Sequence, residues 1–585
     1  MWSDILRTLF GPSNVPHKIQ KLLQYRFVFA FILGCLLDYL MLGIFLGFEL
    51  FQVRKPLDSL VETLDWTLFS LYASTMMIII RAGMAGYGLV LWHMHYAYPR
   101  CNGTLMKRII YEFPIHFSLL FTIMSVAIST SWLYASFVKP AEGYYHLLGC
   151  LSGICYFKTH HNLTLQRFPF PIVRLSLLES ILQMWSLFNR SQIEAFKPTV
   201  IFTLLFWPYM ENIFKGLKVV IVEPRIFLRG WLVNALILAK LNIAREIYGL
   251  IMQRQLPLII ELRCQDIGED ICLQSLIMEY ITQLLWREEE EEQPLEDKNT
   301  SYGLSLSISN ALDSTHLYGF RMLAARDFYA EMSGNLWNKL FTLEDMKNTN
   351  DYWEELREVI YKIINDFVEQ MDSCLDTAPR AQICDLLKRK TGIRPLIKPE
   401  AKRPQGLCCC HSIPQRRPID SFVCYLKDHF RKQFFLISVH VFKSFPVIPN
   451  MYDSLFEIDK LAKLNQALEC GEPLVWILQG LVCICARSLK KDTFGILQRD
   501  IPWVFKVLIK VEGKLLAAAE VPVQTERGNE KLCSSHKLLM LATNRCLFRM
   551  LKTFGPHLNF IVNEQPLWEN LKRRMENLNV FQENF

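Results

Sequence analysis

The stretch that decides the fold runs from Phe113 to Val138 and reads FPIHFSLLFTIMSVAISTSWLYASFV, without one Asp, Glu, Lys or Arg. A helix needs roughly 20 mainly apolar residues to cross a bilayer, because lipid offers no partner to a free backbone polar group. Two earlier stretches have the same character, since 27–48 is interrupted only by Asp38 and 66–92 only by Arg81. The sequence therefore predicts three membrane-spanning helices near its start.

Three later stretches are apolar but carry more charges, and we predict that they also span the membrane: 144–164, 198–219 and 226–251. Hydropathy alone supports the first three spans more strongly than these. The stretch 172–188 is interpreted as an amphipathic helix at the membrane surface, because Arg174 and Glu179 interrupt it early. The predicted fold class is thus all-α, with a membrane domain of about six spans in residues 1–257.

Positive charges in short loops give the expected orientation. Lys and Arg cluster before the first span and between the second and third, at Arg7, Lys18, Lys21, Arg26, Arg100, Lys107 and Arg108. Such residues favour the cytosolic side, so both termini are predicted to be cytosolic. A later cluster would then be luminal, against the same rule: Lys215, Lys218, Arg225 and Arg229.

The sequons at Asn102, Asn162, Asn189 and Asn299 are expected to carry no glycan, because they fall on or near the cytosolic side.

Composition excludes several classes of protein. The chain has 585 residues, of which 51% are hydrophobic and 21% charged, which excludes an intrinsically disordered protein. Its net charge of +7 is too dispersed to indicate a nucleic-acid surface, so no direct nucleic-acid partner is expected. The 17 cysteines lack the spacing of a secreted disulfide framework, which favours a reducing compartment.

Two ionisable residues interrupt the first two spans near their middle. Asp38 and Arg81 would lie at a similar depth in an antiparallel pair of helices, and a lone charge at that depth is costly. We predict an ion pair that locks this hairpin. Two alternatives stay open: both side chains reach toward the head groups, or they form a transport pathway with His116.

Beyond residue 257 the pattern changes to that of amphipathic helices in water. Apolar residues recur at intervals of three and four from Trp353 through Leu356, Ile360, Ile363, Phe367 and Met371. We predict a helical soluble region at 258–387, a basic proline-rich linker at 388–418 and a C-terminal helical domain at 419–585. Within the linker, Cys408, Cys409 and Cys410 are interpreted as a reduced surface cluster or a palmitoylation site.

The segment 421–445 combines bulky apolar residues with cations. Its pattern consists of Phe422, Leu426, Phe430 and Phe434 interleaved with Lys427 and Arg431. Such a helix suits a membrane surface, although a core helix of the soluble half has the same pattern.

No catalytic pattern stands out. The motifs GxGxxG, GxxxxGK[ST], HExxH and GxSxG are absent from the sequence, so we expect neither a catalytic site, a cofactor nor a metal. Two small-xxx-small pairs, Gly43 with Gly47 and Gly149 with Gly153, allow close helix packing. Packing within the chain is the preferred interpretation, and a homodimer face is the alternative.

Three groups of residues resemble one family. They are Trp476, Gly480, Leu481, Asp492, Phe494, Gly495, Gln498 and Pro502; then Thr553, Phe554, Gly555, His557, Leu558 and Asn559; and, after the fourth span, Pro169, Phe170, Pro171 and Ile172. Together with the order of spans, linker and helical half, this pattern resembles the transmembrane nucleoporins named for the nuclear division cycle.

The resemblance implies a six-span, non-enzymatic protein of the nuclear pore membrane whose termini both face the cytosolic or pore side. It implies that the protein anchors nuclear pore complexes in the nuclear envelope and supports their assembly. The implied partners are the bilayer of the envelope, the WD-repeat nucleoporin Aladin and a membrane-binding nucleoporin with an RRM-like domain. The alternative from the residues themselves is a multispan transporter or channel.

Overall fold

The computed structural model describes residues 17–50, 61, 65, 69–99, 104–137, 142–161, 177–206, 224–259, 306–314, 317–334, 346–391, 461–492, 495–521, 532–562 and 564–583. Within these ranges almost all secondary structure is helical. The chain forms two compact units, the first comprising residues 1–95, 111–254 and 268–303 and the second the remainder. The main division lies beside the predicted end of the membrane domain at 257, and that membrane boundary itself stays a prediction.

The described residues of the first part of the chain form six long helices: α1 His17–Leu50, α2 Leu71–Tyr96, α3 Leu105–Ala135, α4 Glu142–His160, α5 Leu177–Ile201 and α6 Pro224–Met252. A π-helical turn, Phe202–Phe206, continues α5. Four of the six are long and apolar enough to cross a membrane, namely α1, α2, α3 and α6. The other two described helices, α4 and α5, do not meet these criteria of length and hydropathy.

The helix boundaries differ from the prediction mainly in α5. This helix begins at Leu177 and contains Pro198, so neither 188 nor 198 is a helix boundary, and 207–219 lies outside the described residues. The helix continues through Pro198, and Asn234 of α6 donates hydrogen bonds on both sides of this proline, to the Ala195 carbonyl and to Thr199 Oγ1. The predicted surface helix and the first part of the predicted fifth span are therefore one element.

Small residues set the packing of α4 on α3. A Cβ atom on Gly149 would lie 2.4 Å from the Cβ of Ser131, and one on Gly153 would lie 2.8 Å from Met124 Sδ. By contrast, a Cβ on Gly43 or Gly47 would meet no atom within 4 Å. The second small-xxx-small pair thus packs within the chain, and the first faces open space in the described structure.

The described residues of the second unit form ten α-helices and one small sheet. Its helices are α7 Ile308–Leu312, α8 Tyr318–Ser333, α9 Met346–Thr391, α10 Ala462–Cys470, α11 Leu474–Lys491, α12 Ile496–Arg499, α13 Ile501–Ala519, α14 Ser534–Phe554, α15 Leu558–Ile561 and α16 Gln565–Glu583. Strands β1 Leu258–Ile259 and β2 Leu306–Ser307 pair in parallel. The apolar face of α9 is buried as predicted, including Trp353, Leu356, Ile360 and Phe367.

One stretch in this unit meets the length and composition of a membrane span, although none was predicted beyond residue 257. It is Ala462–Lys490, which comprises α10 and most of α11. A turn at Gly471–Pro473 separates the two helices, and α11 packs between α8 and α14. Since its apolar side chains pack against other helices of the unit, we interpret α11 as the core of the C-terminal domain.

Candidate functional site

A buried ion pair joins three helices of the first unit. The Nζ atom of Lys240 in α6 lies 3.0 Å from Oδ1 of Asp38 in α1, and both residues are about 1% exposed. Lys240 also donates a hydrogen bond to Thr130 Oγ1 of α3, at 3.3 Å. Either charge alone would be costly at this burial, and each has the opposite charge beside it. This cluster therefore connects α1, α3 and α6.

Arg81, the partner predicted for Asp38 from the sequence, contacts an aromatic ring instead of the Asp38 carboxylate. The guanidinium carbon of Arg81 lies 4.6 Å from the ring centroid of Tyr39, a cation–π arrangement. His116, the third residue of the alternative pathway, has Nε2 4.0 Å from Glu112 Oε2. Lys240 was not singled out from the sequence, although it interrupts the last span as Asp38 interrupts the first. This similarity between the two positions was the sequence signal that could have identified Lys240 as the partner of Asp38.

A row of polar side chains connects α5 and α6. Asn234 donates to the Ala195 carbonyl at 3.0 Å and to Thr199 Oγ1 at 2.9 Å, and Asn242 donates to Ser191 Oγ at 2.9 Å. The order of the contacts shows that the two helices are antiparallel. We refer to these hydrogen bonds as the α5–α6 polar ladder.

In the second unit, two residues of the family motif form a turn between helices. The carboxylate of Asp492, which follows α11, accepts hydrogen bonds from the backbone N–H groups of Ile496, Leu497 and Gln498, at 3.2, 2.8 and 3.4 Å. These are free N–H groups at the start of α12, which a carboxylate satisfies well. Gly495 has φ of 68°, a left-handed conformation that favours glycine.

The next motif segment ties α9 to α13. Asp500 accepts hydrogen bonds from Trp353 Nε1 at 2.8 Å and from Arg357 Nη1 at 2.9 Å. Pro502 lies in the first turn of α13, where its missing N–H costs nothing. The sequence pattern placed Trp353 on a buried face, but it did not reveal that Trp353 binds Asp500.

Two further motif residues lie at the contact of α11 with α8. A Cβ atom on Gly480 would lie 2.5 Å from Cε1 of Phe328, so only glycine permits this approach. One turn earlier, the Trp476 ring lies 5.6 Å from that of Tyr329. Both positions therefore serve close helix packing.

The terminal motif forms the corner between α14 and α16. Phe554 and Leu558 are buried, and Asn559 Oδ1 accepts a hydrogen bond from Trp568 Nε1 at 2.8 Å. Gly555 follows the last residue of α14, and His557 is exposed. The described motif residues of the second unit thus stabilise helix junctions.

An exposed face of α14 offers a different kind of feature. Leu538, Leu541 and Phe548 are 47%, 55% and 44% exposed. Exposed cations lie among them: Lys537, Arg545 and Lys552. The helix contains no Asp or Glu. We call these six residues the basic apolar face of α14.

Buried thiols lie behind this face. Arg549 Nη1 lies 3.0 Å from Sγ of Cys483, which is buried in α11. Burial raises the pKa of Cys546 to about 12, so its thiol stays protonated at neutral pH. Within the described residues, no group of three or more His, Cys, Asp or Glu could hold a metal ion.

Several sequence-based predictions lie outside the described residues. They concern Pro169, Phe170, Pro171, Phe494, residues 392–418 of the linker with its three cysteines, and the membrane-surface helix with Phe422, Leu426, Lys427, Phe430, Arg431 and Phe434. These stay predictions. The first four residues of the predicted linker, 388–391, are described and continue α9.

Comparison with known proteins agrees with the resemblance. A family model described as nucleoporin protein Ndc1-Nup matches residues 345–564, a range that contains α9 to α15. A protein called Nucleoporin Ndc1 from Drosophila melanogaster is 22% identical over 610 residues, covering 94% of this chain and 96% of the relative. A second, with the same name, from Drosophila pseudoobscura pseudoobscura is 22% identical and covers 93% and 96%. With its apolar helices and helical C-terminal region, the chain is similar to the Ndc1-type transmembrane nucleoporins over nearly its whole length.

Proposed function

We propose that this nuclear pore component anchors the pore complex in the nuclear envelope and supports pore assembly by recruiting scaffold nucleoporins, without catalysing a reaction. The observation that carries the proposal is the basic apolar face of α14. It lies in the helical unit that follows the apolar helices, and within the family-matched range. By resemblance, its partners include Aladin and the membrane-binding nucleoporin with an RRM-like domain.

The chemistry of this face suits a protein partner. Three large apolar side chains are half exposed in α14, and covering them releases roughly 25 cal/mol for each Å² removed from water. The surrounding cations favour a partner whose groove is apolar with an acidic rim, because such charges speed encounter and select the orientation. A partner of this kind would contact α14 without a rearrangement of the core behind it.

Charge placed on this face should block recruitment. We expect the double substitution Leu541→Glu and Phe548→Glu to reduce the scaffold nucleoporins that co-purify with the full chain by at least tenfold. Such a loss corresponds to about 1.4 kcal/mol of binding free energy, well within the contribution of two central apolar side chains. Recovery is measured by affinity purification from mild detergent.

Leu516 provides a matched control, since it is 45% exposed on the neighbouring helix α13. Leu516→Glu should leave recovery of the scaffold nucleoporins unchanged, and nuclear-rim localisation should persist in both variants. Equal recovery from the wild type and the α14 double variant would contradict the assignment of this face.

We also propose six spans, with both termini on the cytosolic or pore side. The support for α4 and α5 as spans is their bonding to α6. From α4, Ser152 Oγ donates to Asn234 Oδ1 at 2.5 Å and Tyr156 OH donates to the Leu241 carbonyl at 3.1 Å. In α5, Ser191 Oγ accepts a hydrogen bond from Asn242 at 2.9 Å. Helices joined in this way to a spanning helix share its depth in the bilayer.

Protease protection tests this topology. In sealed vesicles whose cytosolic face is outside, added protease should remove epitope tags from both ends of the chain, while carbonate extraction leaves the chain in the membrane. Protection of the C-terminal tag with loss of the N-terminal tag would show an odd number of spans.

A further inference from the structure

The exposed side of α5 has an unusual composition for a helix beside a membrane span. Ser191, Ala195 and Thr199 are fully buried on the α6 side. The opposite side exposes large apolar residues and polar ones together: Leu182, Trp185, Ser186, Asn189, Arg190, Ile193, Phe196 and Lys197. Ile193 is 77% exposed. We call this side the outer face of α5.

The contacts of α6 show how deep this face lies. Where α1 and α6 run antiparallel, Arg26 Nη1 donates to the Met252 carbonyl, and twelve residues further along α1, Asp38 meets Lys240. At 1.5 Å per residue this separation is about 18 Å, which places the ion pair near the middle of a hydrocarbon core about 30 Å thick. Asn242 binds Ser191 at almost the same level of α6. On the proposed six-span topology, residue 190 is therefore also near mid-bilayer.

An ion pair lies on the outer face at this depth. Arg190 Nε donates to Glu194 Oε1 at 2.8 Å, and the two side chains are 70% and 31% exposed. Glu194 Oε2 also lies 3.7 Å from Nε2 of His160, whose Nδ1 is 3.2 Å from Arg245 Nη1. Charged groups at mid-bilayer face a protein partner or a wet cavity, because acyl chains cannot solvate them. The outer face of α5 is thus unsuited to lipid.

We infer that a second copy of this chain covers the outer face of α5. The face is complementary to itself, because a cation and an anion lie one helical turn apart on it. Across a two-fold axis, Arg190 would approach Glu194 of the partner subunit while the reciprocal pair forms on the other side. The apolar residues Trp185, Ile193 and Phe196 would pack around these two pairs. This contact is separate from the recruitment of scaffold nucleoporins by α14.

Charge exchange between copies tests the inference. Full-length chains with two different tags are co-expressed, reconstituted in nanodiscs, and pulled down through one tag. We expect Arg190→Glu alone and Glu194→Arg alone to lower self-association at least tenfold, since each places like charges opposite each other. Mixing the two variants should restore it, because one copy then carries two anions and its neighbour two cations. A pair that acts only within α5 would give no such rescue, and this result would overturn the inference.

A second measurement does not depend on charged variants, because Glu194→Arg also places a cation beside His160 and Arg245. A photo-crosslinking amino acid at Ile193 of the otherwise unchanged chain should give an adduct of twice the chain mass. The same probe at Phe121, which is 66% exposed on α3, serves as the control and should give none. Adducts of Ile193 with lipid alone, with another protein, or within one chain would each overturn the second copy as the occupant.

Discussion

Replacing Lys240 by methionine is expected to lower the amount of correctly inserted protein at least tenfold. Asp38 would then be an uncompensated anion, about 1% exposed, near the middle of the bilayer. Removing one partner of a buried ion pair costs roughly 3–5 kcal/mol. The measurement is the fraction of full-length chain that resists carbonate extraction and gives the wild-type protease pattern.

Neutralising the partner separates the charge effect from a packing effect. Adding Asp38→Asn to the methionine variant should restore most of the inserted protein, since no lone charge remains. Arg81→Met is the comparison, because Arg81 contacts the Tyr39 ring and should cost much less. If Arg81→Asp rescued Asp38→Lys while Lys240→Asp did not, the pair predicted from the sequence would be correct instead.

Substitution of Asp500 by alanine should give the second large effect, a loss of roughly 2–4 kcal/mol in the stability of the C-terminal unit. The change leaves the indole N–H of Trp353, a residue that is completely buried, without its acceptor, and it also removes the ion pair with Arg357. Limited proteolysis of the full chain in detergent, followed over temperature, measures the loss.

Two variants divide this effect into its parts. Asp500→Asn keeps an oxygen acceptor for Trp353 and should cost less than the alanine variant. Arg357→Met removes only a partner whose side chain is 30% exposed, so it should cost the least. Proteolysis of Asp500→Ala at the wild-type temperature would contradict a stabilising role for this contact.

The apolar helices could be predicted because their signal is local. An uncharged stretch as long as 113–138 can form few structures other than a spanning helix. The spans at α1 and α2, with one central charge each, were predicted on nearly the same signal, and the more charged α6 on a weaker one. The sequence did not predict that α5 starts at Leu177 and continues into the fifth span, because Glu179, Arg190 and Glu194 lower the hydropathy of this helix. What holds α5 beside α6 is the α5–α6 polar ladder, whose partners lie 35 to 51 residues apart in sequence.

The candidate sites show the same limit. Asp38 was recognised as an intramembrane charge, but its partner lies on the last helix of the unit, and spacing along the chain cannot select between Arg81 and Lys240. The motif residues Asp492, Gly495 and Gly480 carried the family resemblance before their roles were visible. Those roles are a helix-capping turn and a close helix contact, which depend on backbone conformation and on Phe328.

The α5–α6 polar ladder has a consequence for biosynthesis. A nascent chain that ends just after residue 206 would contain α5 without Asn234 and Asn242, the residues that satisfy its hydroxyl and carbonyl groups. Lipid cannot replace those donors. On the proposed topology, we therefore expect the fifth helix to settle in the bilayer together with the sixth, as a hairpin, once the sixth has been translated.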